Sequence, residues 1–210
     1  MEIGQRLREG ENLFARIDST GLKVYGEGEW KVRKHGWNKR RTWRKLHIGI
    51  DLDTQEILAV ELAGNGEDDA PVGRRMLEGQ TGRTGKFAGD GAYDAFGFRE
   101  VLGEKTEQVV PPPKNAIVRK GKEGKPLPGY LKQRNEAVEY INRHGSKQWK
   151  AKHGYHKRSL NETVMYRFKT IFGDKLDARL IESQLVEAKL KCLTLNRFTG
   201  IAMPDSYKVA

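Results

Sequence analysis

Apolar and polar positions along the chain follow two rhythms, one of period two and one of helical period, and their alternation predicts most of its elements. Leu13 to Ile17 is a short apolar-rich run ending at Asp18; the Ser19-Thr20-Gly21 that follows is expected to break the strand and leave Asp18 at its end. His47–Leu52 and Glu56–Leu62 flank the polar turn Asp53-Thr54-Gln55, and their β-branched content suits an antiparallel hairpin, so the first three strands form a meander. Glu67–Gln80 reads as a helix that begins near Pro71, with acids in its first turn and Val72, Met76 and Leu77 at helical intervals, crossing one sheet face. A strand over Gly85–Gly89 ends at Asp90, and a helix-like stretch with Phe96, Phe98, Val101 and Leu102 follows. Glu107–Val110 is one more strand, stopped by Pro111-Pro112-Pro113. Lys114–Lys132 is rich in Gly, Pro and Lys and predicts a mobile surface excursion. Helices are predicted over Gln133–Arg143, over Tyr155–Phe172 with Gly173 as its stop, and over Leu176–Leu195 with apolar positions 176, 180, 181, 185 and 188.

Three strands, helix, strand, helix, strand, insertion and helices fit an α/β fold: a mixed five-strand sheet flanked by helices, in the ribonuclease-H-like arrangement. In that arrangement the first and fourth strands are neighbours. Asp18 and Asp90 then end adjacent parallel strands on one edge, and a later helix can bring Glu162 within reach. The 210-residue length fits a single domain over 1–210, with a basic excursion over about 111–150 before the last catalytic helix.

Charge narrows the partners. Lys and Arg number 39 against 28 Asp and Glu, a formal charge of +11, and the isoelectric point is near 9.7, which favours a polyanion such as nucleic acid. From Lys31 to Lys45 there are eight Lys or Arg and no acid, with tryptophans at 30, 37 and 43. The charges of this segment, Arg40, Arg41, Arg44 and Lys45 among them, are expected to contact DNA, and at least one tryptophan to pack in the core. Cys192 is the only cysteine, which excludes an intramolecular disulfide and a cysteine-rich zinc site. No apolar run approaches the roughly 18 residues of a membrane span, and a reducing, cytoplasmic setting is expected.

The candidate chemistry lies in a spacing. Tyr155, Arg158, Glu162 and Lys169 are separated by three, four and seven residues, which returns all four side chains to one helix face. A carboxylate among phosphate-binding cations, with Asp18 and Asp90 upstream, suits metal-dependent phosphodiester chemistry, since three separated carboxylates suffice to hold two divalent ions. Each acid has a plainer alternative as a turn former or surface ion-pair partner. Among rival acids, Asp53, Asp68 and Asp69 sit at a turn or a helix start where structural roles are common, while Asp51 and Asp94 remain open as ligands. His153 and His156 lack a third ligand and are expected to contact phosphate or pack, as is Trp149 to pack.

Several segments carry a family resemblance: Asp18-Ser19-Thr20-Gly21-Leu22-Lys23, Arg41-Thr42-Trp43-Arg44-Lys45-Leu46-His47, Gly89-Asp90-Gly91-Ala92-Tyr93-Asp94, Pro112-Pro113-Lys114-Asn115-Ala116, Arg134-Asn135 and Arg158-Ser159-Leu160-Asn161-Glu162-Thr163. From about Asp18 to about Pro204 the chain resembles bacterial insertion-sequence transposases of the DDE class, in the group conventionally numbered five and allied to group four. The resemblance implies a ribonuclease-H-like core with Asp18, Asp90 and Glu162 as catalytic metal ligands for two Mg²⁺ ions, with Mn²⁺ as a substitute. It implies that Tyr155, Arg158 and Lys169 hold transposon-end phosphates. Transposon-end and target DNA, a homodimer in the synaptic complex and a nucleoid-associated setting are the implied partners and place. Only 17 residues precede Asp18, fewer than such proteins usually carry, so the chain reads as a truncated or split transposase. A non-catalytic end-binding remnant and a ribonuclease-H-like nuclease are the alternatives.

Overall fold

In a computed structural model, residues 12–24, 43–78, 84–121 and 125–202 are described. Strand β1 (Leu13–Val24) is longer than expected: it runs through Asp18 and the Ser19-Thr20-Gly21 segment, so Asp18 does not cap its end. Antiparallel pairing with β2 (Trp43–Asp51) holds this stretch extended, with Ser19 opposite His47 and Gly21 opposite Lys45. Gly21 packs closely there, and a Cβ would stand 3.1 Å from the Trp43 ring. Strand β3 (Ile57–Gly64) completes the expected meander. The Asp51 carboxylate folds its turn, accepting from the Thr54 amide at 3.1 Å and the Thr54 hydroxyl at 2.7 Å, and this employs one rival acid structurally.

Helix α1 (Asp69–Leu77), strand β4 (Thr84–Ala88), helix α2 (Phe96–Leu102) and strand β5 (Glu107–Val109) follow in the expected order. The sheet order is β3-β2-β1-β4-β5, with β4 parallel to both its neighbours. This is the mixed, ribonuclease-H-like arrangement. A sixth strand, β6 (Lys175–Leu176), pairs with the far end of β1 where a helix start was expected. Val24 pairs with Leu176, and this ladder buries Leu176 completely.

The excursion is more ordered in secondary structure than its composition suggests. Helices α3 (Gly129–His144) and α4 (Ser146–Lys152) occupy much of 111–150. Asn135 ties the preceding segment down by accepting from the Arg119 amide at 2.8 Å and donating to the Arg119 carbonyl at 2.7 Å. A 3₁₀ turn, Tyr155–Arg158, leads into α5 (Ser159–Phe172), and Gly173 stops it at φ +79°, a backbone region suited to glycine. The last helix, α6, spans Ile181–Ile201 rather than starting at Leu176; Leu180 and Ile181, expected on its buried face, are exposed. No described helix is long and apolar enough to cross a membrane.

The sheet separates two cores, and strand alternation decides which side chains enter each. Ala15 and Ile17 of β1 join Val72 and Met76 of α1 and Phe98 of α2. Leu22 of β1 and Leu46, Ile48 and Ile50 of β2 join Trp149, Val164, Phe168 and Cys192 on the other side. Even-numbered positions of β1 therefore face the layer of α3 to α6. At the sheet edge, the Asn196 side chain of α6 accepts from the Ile57 amide and donates to the Ile57 carbonyl, both at 2.8 Å.

Candidate functional site

Two aspartates are levelled by strand register. The parallel pairing of β1 with β4 ends at Arg16 opposite Ala88, and Asp18 and Asp90 each stand two residues beyond that pair. Asp90 keeps an extended backbone (φ −80°, ψ −177°), so alternation directs both carboxylates to the face covered by α5. Beyond Asp18 the β4 side of β1 carries no ladder until β6 pairs with Lys23, which leaves a notch in the sheet at the aspartate. Asp18 Oδ1 accepts from the Ser19 amide at 2.9 Å, and Oδ2 accepts from Arg16 Nη2 at 3.1 Å. Asp90 Oδ1 accepts from the Ala92 amide at 2.9 Å and caps the 3₁₀ turn Gly91–Tyr93. Gly89 allows the turn to close, since a Cβ there would lie 2.8 Å from the Phe87 ring.

Glu162 lies in the first turn of α5, the helix that packs against β1, and its side chain is exposed. Oxygen-only ligands suit a hard divalent cation, and the aspartates supply them from β1 and from the turn after β4. Among the described residues, however, no group of three or more His, Cys, Asp or Glu is gathered closely enough to hold a metal ion.

The expected common face of Tyr155, Arg158, Glu162 and Lys169 is formed only in part: Glu162 and Lys169, seven residues apart within α5, share a face, and Tyr155 leaves it. The Tyr155–Arg158 turn winds as 3₁₀, with fewer residues per turn than α5, and left-handed Gly154 (φ +66°) starts it. The tighter winding takes Tyr155 out of phase with α5. Tyr155 is 6% exposed and packs beside Trp149, ring centroids 6.4 Å apart, whereas Glu162 is exposed and Lys169 half-buried. Arg158 belongs to the turn by its backbone, and its side chain lies outside the described residues.

Of the basic segment, Arg40, Arg41, Trp30 and Trp37 lie outside the described residues. Arg44 Nε donates to Gln184 Oε1 at 3.1 Å, tying β2 to α6. Lys45 Nζ donates to the Glu67 carbonyl at 2.8 Å and to Asp69 Oδ1 at 3.2 Å. The other histidines and acids are mostly structural. His153 sits 3.2 Å from Glu107, Asp53 pairs with Lys157 at 2.9 Å, and buried Asp94 binds Arg99 and Arg134. Trp149 packs in the core as expected.

Asp69, which sequence reasoning set aside as a helix-start residue, belongs to the surroundings of Asp18. It accepts from Ser19 Oγ at 3.2 Å, and the Ser19 amide binds Asp18, so one serine bridges the two acids from opposite sheet faces. The Tyr93 phenol, 1% exposed and without a hydrogen-bond partner, lies in the field of Asp69, Asp18 and Asp90. Burial first, then those carboxylates, push its ionisation far above the ordinary range. The acid pair that follows β3 was the only trace of Asp69 in the sequence; its contact with Ser19 spans 50 residues.

A cryo-EM structure of piggyBac transposase in a synaptic complex with hairpin DNA is similar to this chain at a TM-score of 0.46 and 8% identity. The similarity covers 92% of this chain and 48% of that one, so this chain spans about half its length. A family model described as a transposase DDE domain matches residues 11–197, a range that takes in both levelled aspartates, the α5 glutamate and every described strand. The chain belongs to the DDE transposase domain family.

Proposed function

We propose that this transposase-family chain catalyses metal-dependent phosphodiester hydrolysis at transposon ends and strand transfer into target DNA. The observation that carries this reading is the level placement of Asp18 on β1 and Asp90 just past the end of the parallel β4, facing the helix that bears Glu162. Asp18 and Asp90 would hold Mg²⁺, or Mn²⁺ in its place, with Glu162 as the third ligand. When bound, two such ions supply charge stabilisation at the phosphate and lower the pKa of the attacking hydroxyl.

The chain's own residues have distinct parts in this scheme. Arg16 orients Asp18 from below, and Ala92 fixes Asp90 by its amide. Arg158 and Lys169, with Arg40 and Arg41 from the basic segment, hold DNA phosphates, Arg158 bidentately. Arg44 and Lys45 add charge on the same strand while bracing α6 and α1. Tyr155, being buried, contributes by seating the turn that starts α5. Water attacks at the transposon end to free a 3′-hydroxyl, and that hydroxyl then attacks target DNA. Such a DNA substrate sets the protein with the bacterial nucleoid in the cytoplasm. Pairing two ends calls for a homodimer, and the motif wording favours the group-five lineage and one catalytic domain over 1–210.

The test is Asp90→Asn. Strand transfer should be abolished while binding to end DNA changes little; equal loss of both would mean a damaged fold. That no three-ligand metal group is gathered among the described residues favours a second reading, a DNA-binding remnant without catalysis. That reading gains if the unsubstituted chain binds end DNA but never nicks it with Mg²⁺ or Mn²⁺. In either case binding should weaken steeply with salt, because Lys and Arg displace counterions.

A further inference from the structure

Two buried polar side chains beside the candidate site have hydrogen-bonding capacity that nothing uses. Arg16 is 1% exposed, and only its Nη2 is engaged, on Asp18; Nε and Nη1 have no partner. Asn161 is 0% exposed, and neither its amide oxygen nor its amide nitrogen has a partner. Buried polar groups are paired in the great majority of native positions, so two unpaired sets in one region call for an explanation.

Their placement supplies one. Arg16 is an even-numbered residue of β1, between Phe14 and Asp18, and faces the layer that contains α5. Asn161 precedes Val164, Met165 and Phe168 by three, four and seven residues, so it lies on the inward stripe of α5, the helix that packs against β1. The two groups are chemically complementary: the guanidinium has only donors, and the amide oxygen accepts. The residue after Asn161 is Glu162, and no three-ligand group is gathered among the described residues. A movement that seats Asn161 on Arg16 carries Glu162 with it.

We propose that Arg16 and Asn161 are positioning residues whose mutual hydrogen bond seats α5 on β1 and delivers Glu162 to the Asp18–Asp90 pair. This rests on the function proposed above. In the seated arrangement Arg16 bridges two elements, holding Asp18 through Nη2 and Asn161 through Nε or Nη1. The sheet supplies two ligands, and the Arg16–Asn161 contact brings the third. The unused donors and acceptor mark the arrangement before seating.

The experiment is titration of the full-length chain with Mn²⁺ by calorimetry, in the presence of duplex DNA at low salt, with melting temperature measured on each variant. Asn161→Leu removes the amide while keeping an apolar group in a buried place, and Arg16→Lys keeps one donor for Asp18. Each should melt close to the unsubstituted chain yet bind Mn²⁺ about tenfold more weakly, the scale on which groups that orient metal ligands act. The double variant should be no weaker than either single one, because both remove one interaction. Unchanged Mn²⁺ affinity in Asn161→Leu or Arg16→Lys, or additive losses in the double variant, overturns the proposal. Asp90→Asn separates the two levels. If it abolishes Mn²⁺ binding while Asn161→Leu does not alter it, only the positioning role fails; if Asp90→Asn also leaves binding intact, the metal-site reading fails first.

Discussion

Arg134, on α3, reaches across 40 residues of sequence to Asp94, with its Nε 3.0 Å from Oδ1 of a carboxylate that Arg99 also binds at 2.7 Å. All three side chains are buried. Both guanidiniums make further hydrogen bonds: Arg99 reaches Gln108 and the Val110 carbonyl, and Arg134 reaches the Ile117 carbonyl. Asp94 thus pins the loop after Asp90 to β5 and α3. Asp94→Ala would strand two buried cations, and a loss of about 3–5 kcal/mol in unfolding free energy is expected. Urea denaturation of the two proteins measures it. A loss below about 1 kcal/mol would show that the pair behaves like a surface bridge.

Gly73 in α1 lies under two rings. A Cβ at this position would stand 2.8 Å from Tyr93 and 2.9 Å from Phe98, both held in the aromatic cluster with Phe87. Gly73→Ala should therefore destabilise by about 1–2 kcal/mol, overpacking outweighing the helix preference for alanine. A raised melting temperature would mean that the rings yield freely.

His47 is fully buried, and neither ring nitrogen has a hydrogen-bond partner; its Nε2 lies 3.9 Å from Asp69. Burial lowers its pKa from the usual 6.5, and the Asp69 charge only partly opposes this. The unfolded chain therefore binds a proton before the native state does. His47's contribution to stability is complete above pH 6.5 and is lost as pH falls through that value toward the lowered native one. His47→Leu should flatten this part of the stability profile. An unchanged slope between the two proteins would assign the acid sensitivity to other groups.

Cys192 is buried in α6, and burial pushes its thiol up to about 12. Such a thiol offers almost no thiolate at neutral pH. Reaction with an aromatic disulfide reagent should follow global unfolding, rising in step with urea. Fast reaction in native buffer would show local opening of α6.

Much of the fold was legible because it rests on local patterns. The hairpin, the α1 stripe of Val72 and Met76, and the strand before Asp90 are each marked by alternation or helical spacing beside turn residues. Errors arose where distant pairing overrode local preference. Ser19-Thr20-Gly21 reads as a breaker, yet β2 supplies a partner for each residue. Leu176 suits a helix face, yet Val24 of β1 pairs with it as a strand. In the site, the spacing from Tyr155 to Lys169 assumed one continuous winding, and the 3₁₀ turn at Tyr155–Arg158 breaks it. The unpaired atoms of Arg16 and Asn161 had no sequence signature, because both residues are ordinary when viewed without their neighbours.

The Asn196 amide gives the Ile57 backbone what another strand would give, one acceptor and one donor, at the outermost position of the sheet. The chain therefore caps the first residue of its own marginal strand with a side chain 139 positions away. A shortened protein that stops before Asn196 would present an unsatisfied strand rim to its neighbours. Such a truncation should self-associate instead of yielding a smaller, independently soluble core.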